Sequence, residues 1–113
     1  MPPLPDLERA VMDVLWSADR PLTARDVQQA LSDRALATTT VLTVLGRLER
    51  KGLVSRAKAG RAYQYRPRSS REEHIAELMR DVLDAAPDRA AALASFLGTV
   101  PPDDRKTLRD LLR

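Results

Sequence analysis

TTTVLTVLGRLERKGLVSR, residues 38–56, decides how the rest of this chain is read. Three consecutive threonines are poor helix formers, yet they open a run whose apolar residues recur at helical steps. At about 100° per residue, Val41, Val44, Leu45 and Leu48 gather on one side of a helix predicted over 39–51. Thr39, Thr40, Thr43, Gly46, Arg47 and Arg50 gather on the opposite side. Thr38 suits the N-cap, and Gly52 after Lys51 suits a stop in the left-handed conformation. The helix therefore has an apolar face and a face of hydroxyls and guanidinium groups.

Working towards the amino terminus, TARDVQQALS predicts a short helix with Val27, Ala30 and Leu31 inward. Thr23 and Asp26 have the spacing of a capping box. Before it, Pro21 in ADRPLT sets a turn or a very short strand. DLERAVMDVLWS predicts a first helix, with Asp6 as N-cap and Leu7, Ala10, Val11, Val14 and Leu15 as its stripe. Trp16 falls off that stripe, which leaves it for a second contact surface at the junction with the C-terminal part. Towards the carboxyl end the period changes. Leu53–Lys58 and Ala62–Arg66 read as the strands of a hairpin around Ala59-Gly60, with Lys58 and Arg61 flanking its tip and Pro67 ending it.

SSREEHIAELMRDVLDAA predicts a fourth helix, opened by a second capping-box pair, Ser70 and Glu73. DRAALASFLG and DRKTLRDLLR predict two more. His74, the one histidine, reads as an ordinary surface residue. The fold class is mainly α with a small β-hairpin: a winged helix-turn-helix over residues 1–68, then a helical dimerisation region over 69–113.

Composition narrows the function classes. The chain has 113 residues, enough for one domain, or one domain with an appendage, and a modest core. It has no cysteine, which excludes disulfides, thiolate metal sites and cysteine nucleophiles. No apolar run approaches the ~20 residues of a membrane span, and MPPLPDLERAVMDVLWSADR, with acids in its apolar stretch and no basic leader, is not expected to act as a secretory signal. The expected setting is the cytoplasm, with no membrane partner. No cluster of His, Asp, Ser or Glu has catalytic spacing, so no enzyme, metal or cofactor is expected.

The net charge is +3, and its distribution is uneven. Residues 1–70 hold 12 Lys/Arg against 7 Asp/Glu, while residues 71–113 hold 7 against 9. Between 46 and 68, Arg47, Arg50, Lys51, Arg56, Lys58, Arg61, Arg66 and Arg68 face Glu49 alone. A local excess of this size points to a polyanion. Charge by itself also describes a solvated face, so the periodicity decides. Three helices followed by a basic hairpin is the order of a winged helix-turn-helix, whose third helix enters the major groove of DNA. Threonines at that helix's amino end then have a use. Their hydroxyls bond phosphates or base edges, their methyls pack on thymine methyls, and the free N–H groups of the helix end face a phosphate.

The candidate DNA-contacting residues are Thr38, Thr39, Thr40, Thr43, Arg47, Arg50 and Lys51 on the helix, with Lys58, Arg61 and Tyr63 on the wing. A competing reading is a winged-helix module that binds an acidic protein. The last three helices carry apolar stripes that one chain covers poorly. Ile75, Leu78, Met79, Val82, Leu93, Phe96, Leu97, Leu108 and Leu111 are therefore the candidate interface of a homodimer, whose two-fold symmetry would set two reading helices on a palindromic site.

LERAVMDVLW, LTARDVQQAL, ATTTVLTVLGRLERKGLV and GRAYQYRP, in this order from Leu7 to Pro67, together resemble the penicillinase-repressor family of bacterial regulators, the BlaI/MecI group with the related CopY copper repressors. The joint pattern of TTV, TVL, RL and KGLV before a basic wing is the specific part. The resemblance implies a homodimeric repressor on double-stranded DNA, acting on β-lactam-resistance or copper-handling genes. The copper branch uses carboxyl-terminal cysteine motifs, and this chain has none. The β-lactam branch is inactivated by a regulatory protease at an Asn-Phe bond. The matching position here is Ser95-Phe96, where the phenylalanine is kept and the asparagine is not, so that this pair is a candidate proteolytic site on resemblance alone.

Overall fold

A computed structural model describes residues 2–113, which divide into two units, Pro2–Ala76 and Glu77–Arg113. In the first, helix α1 (Asp6–Ser17) leads to strand β1 (Leu22–Thr23), helix α2 (Ala24–Ala30), a 3-10 turn (Ser32–Arg34) and helix α3 (Thr38–Arg50). Strands β2 (Val54–Ala59) and β3 (Ala62–Pro67) follow, and helix α4 (Arg71–Asp84) begins before the division. The sheet is antiparallel in the order β1-β3-β2, so the short strand after Pro21 adds a third strand to the hairpin.

Three helices and the root of the sheet close one core. Val11, Val27, Val41, Leu45 and Leu48 are 0% exposed, and Met12, Leu15, Val44, Val54 and Tyr65 lie among them. Burial of each such side chain is worth roughly 1.5–3 kcal/mol, and this is what holds α3 in place by its apolar face. In α1 the buried line is Glu8, Val11, Met12 and Leu15, rotated from the predicted stripe. Leu7, Ala10 and Val14 are only half-buried. Asp6 is not the N-cap. That place is taken by Pro5, with no side-chain bond, and Asp6 adds its charge to the first turn. Ala30, predicted inward, is exposed and lines an open groove of about 680 Å³ with Ala10, Val14 and Leu22.

Both capping boxes form. The Thr23 hydroxyl accepts from the Asp26 N–H at 3.1 Å and the Asp26 carboxylate from the Thr23 N–H at 3.0 Å. Ser70 and Glu73 exchange the same pair of bonds at 3.0 and 3.3 Å. Gly52 has φ +79° after α3, as a left-handed stop requires. Gly60 has φ +64° at the first position of the two-residue β2–β3 turn, which favours glycine for the same reason.

The surface reading of His74 is overturned. Its side chain is 4% exposed, and its ring sits 5.3 Å from that of Trp16. Trp16 also donates its indole N–H to the Ser69 carbonyl at 3.0 Å, and the Arg71 guanidinium lies over its ring. The residue that fell off the α1 stripe is what closes the start of α4 onto α1. Its place off the stripe predicts this second contact surface, but spacing does not name the partners, which stand 53 and more residues away.

In Glu77–Arg113, α4 runs on to Asp84 and is followed by helices α5 (Arg89–Thr99) and α6 (Pro102–Leu111). Asp88 caps α5 by accepting from the Ala91 N–H, and Arg89 pairs with Asp84 at 2.7 Å. Pro102 opens α6, where a missing N–H costs nothing. Among the described residues of this unit only Val100 is buried.

Candidate nucleic-acid interface

The amino end of α3 is left open. Its N-cap is Ala37, which offers no side-chain acceptor, so the first N–H groups of the helix have no capping partner. Thr38 is not the cap but the first helical residue. Its hydroxyl donates to Gln28 Oε1 at 3.0 Å, and the Gln28 amide donates to the Leu36 carbonyl at 2.9 Å. One α2 side chain thus holds both the turn and the start of α3, which fixes the angle of the helix-turn-helix. Ala35, in that turn, is the one non-glycine at positive φ among the described residues.

Along the outward face the hydroxyls divide by what they have left to offer. Thr43 donates to the Thr39 carbonyl one turn back, at 2.9 Å. Its proton is committed, so toward a ligand it acts as an acceptor. Thr39 and Thr40 have no hydrogen-bond partner for their hydroxyls among the described residues and keep their protons free; Thr39 is exposed and Thr40 half-buried. Arg47 is exposed and without an ion-pair partner among the described residues. Arg50 bends back so that Nε donates to the Gly46 carbonyl at 3.3 Å, leaving the outer guanidinium edge to solvent.

Lys51 is a correction. Its ammonium group turns to Glu8 of α1 at 2.5 Å, and Glu8 is 5% exposed. A carboxylate buried to that degree needs a cation beside it. Lys51 therefore ties the end of α3 to α1 and does not stand with the outward set.

The wing grows from the core. Cross-strand neighbours share a face of the sheet, so Arg56 with Tyr65 and Lys58 with Tyr63 lie on one side of the hairpin. Tyr65, near the root, is buried, whereas Tyr63, two residues nearer the tip, is 42% exposed. The Arg56 guanidinium covers the Tyr63 ring at 4.1 Å and pairs with Glu49 of α3 at 3.2 Å. Hydrogen bonding to Tyr65, and then the Glu49 charge, raise its pKa. The lone acid of the basic segment thus anchors the wing to α3. Lys58 and Arg61 at the tip are exposed and have no partner among the described residues.

A sequence model of the penicillinase repressor family matches residues 4–113. The chain belongs to the penicillinase-repressor family. It is 50% identical to the transcriptional regulator BlaI of Mycobacterium tuberculosis, over 96% of this chain and 82% of that protein. The solution structure of the DNA-binding domain of the repressor BlaI superposes with a TM-score of 0.55 at 30% identity, covering 64% of this chain and 88% of that one. A MarR family protein from Bacillus stearothermophilus shares the fold at 21% identity and a TM-score of 0.55, over 99% of this chain and 72% of its own.

In this member of the penicillinase-repressor family, Thr38, Thr39, Thr40, Thr43, Arg47 and Arg50 lie along one helix, and Lys58, Arg61 and Tyr63 lie on the hairpin that follows. Of the predicted interface set, Ile75, Met79, Val82, Leu93, Phe96, Leu97 and Leu111 are between 43% and 76% exposed. Leu78 and Leu108 are half-buried. Sequence reasoning missed Glu8 and Gln28, which position α3, and Leu42, which stands exposed on it.

Proposed function

We propose that this protein is a transcriptional repressor that lays α3 in the major groove of duplex DNA and the β2–β3 wing along the backbone, working as a homodimer on a palindromic operator. Membership of the penicillinase-repressor family supports the reading. The observation that carries it is the division of α3: Val41, Val44, Leu45 and Leu48 are 0–3% exposed, while Thr39, Thr43 and Arg47 face away from the core with polar groups to spare. Free hydroxyl protons on Thr39 and Thr40 and open N–H groups suit a phosphate. The acceptor of Thr43 suits an exocyclic amino group, and Arg47 suits the O6/N7 edge of guanine.

The exposed apolar residues of α4, α5 and α6 support two-fold assembly, since a monomer would leave them in water. The family resemblance supports β-lactam-resistance genes as targets and release by a regulatory protease. Ser95 and Phe96 are exposed but lie within α5, so cleavage there requires α5 to open locally. Binding to duplex DNA against salt concentration tests the reading. Neutralising ~6 phosphates gives a slope of log K on log salt near −5. Binding that ignores salt, or that prefers an acidic protein to a duplex, refutes it.

A further inference from the structure

Leu42 stands on α3 with 45% of its surface exposed, although the core beneath is already filled by Val41, Val44, Leu45 and Leu48. The fold gains little from a leucine there, because lysine or glutamine would propagate the helix as well and suit water better. Its neighbours on the helix surface are Thr38 and Thr39 one turn before and Gly46 one turn after. Gly46 leaves a dent. A Cβ added there would meet only the Arg50 guanidinium, at 3.9 Å. An apolar wall beside a side-chain-free patch, on the same helix as the polar readers Thr43 and Arg47, has the shape to take a small methyl group with the base edge drawn close.

Resting on the DNA-reading role of α3, we propose that Leu42 is a specificity-determining residue that packs against a thymine C5-methyl group in the major groove. The methyl is the one apolar feature of a base-pair edge there, and it separates thymine from cytosine by contact alone. Thr43 and Arg47 read hydrogen-bonding atoms. Leu42 adds a position read by shape, which no hydrogen-bond pattern on this helix would reveal.

The test uses the full chain and a duplex recovered by it from a random-sequence pool, with each thymine in turn replaced by uracil, which lacks only the methyl. One position in each half-site is expected at which uracil weakens binding by about fourfold, the worth of one buried methyl-sized group. L42A and L42Q are expected to bind the uracil and thymine duplexes equally at that position, with the salt slope unchanged. Both variants sit on an exposed helical surface, so their folding is not at stake. Salt-dependent binding with no uracil penalty anywhere, or a penalty that survives in L42A, overturns the role of Leu42 and leaves the reading helix standing. Failure to recover any duplex, with no binding to DNA at low salt, overturns both.

Discussion

Replacing Lys51 by methionine separates two roles that its place in a basic run confounds. The change keeps the aliphatic stem and removes the ammonium group that meets Glu8 at 2.5 Å. Breaking a fully buried pair by deleting one partner costs about 3–5 kcal/mol, while an exposed pair is worth about 0–1 kcal/mol. The Glu8 side chain is 6% exposed and that of Lys51 37%, so the pair lies between these limits. A loss of about 2 kcal/mol is expected, or about 8 °C in Tm for a chain of this size. Urea unfolding measures it, and the double variant E8Q/K51M should recover most of the loss because no charge is then buried alone. Operator binding is measured in parallel, well below Tm. With Lys51 committed to α1, the salt slope of K51M stays at the wild-type value. Suppose instead that the variant unfolds within about 0.5 kcal/mol of wild type, and that the slope of the homodimer falls by about 1.8, as when one phosphate in each half-site is no longer neutralised. Lys51 would then face DNA, and the reasoning from Glu8 would be wrong.

Other substitutions probe the interface and its supports. R47A should cost about 1–3 kcal/mol in each half-site of the preferred duplex and flatten discrimination among sequences, whereas R61A should weaken all duplexes alike and lower the slope by about 1 per protomer, about 2 for the homodimer; competition titrations distinguish the two. T23A removes one half of a capping box and should lower stability by about 1 kcal/mol, read by the urea midpoint. The Thr23 N–H holds the Asp26 carboxyl below its ordinary pKa, with Arg20 assisting. The stability that Asp26 contributes is therefore present above about pH 4 and is lost as pH falls through its lowered folded value. D26N should flatten that part of the acid limb. A fragment ending at Ala76, which keeps His74 against Trp16, is expected to sediment as a monomer and to bind the operator far more weakly than the full chain. Equal affinity would refute the two-fold assembly.

Much of this molecule was legible from short-range pattern. The apolar side of α3, the capping boxes at Thr23 and Ser70, the stop at Gly52 and the turn at Gly60 all depend on residues close together along the chain. At that range backbone geometry alone sets which side chains meet, so helical and strand periods carry the information. The separation of Thr39, Thr43 and Arg47 from the core follows from the same period. Tertiary packing decided what lay farther apart. Lys51 looked like one more cation in a basic run until Glu8, 43 residues earlier, was brought beside it. His74 looked like a surface residue until Trp16 covered it, and Tyr63 and Tyr65, alike in sequence, parted because the hairpin outruns the core between them. Leu42 passed as one of several leucines, since a period assigns a residue to a face but does not say where the neighbouring helices stop covering it. Exposure and long-range pairing are properties of how elements meet, and that is why only the folded chain discloses them.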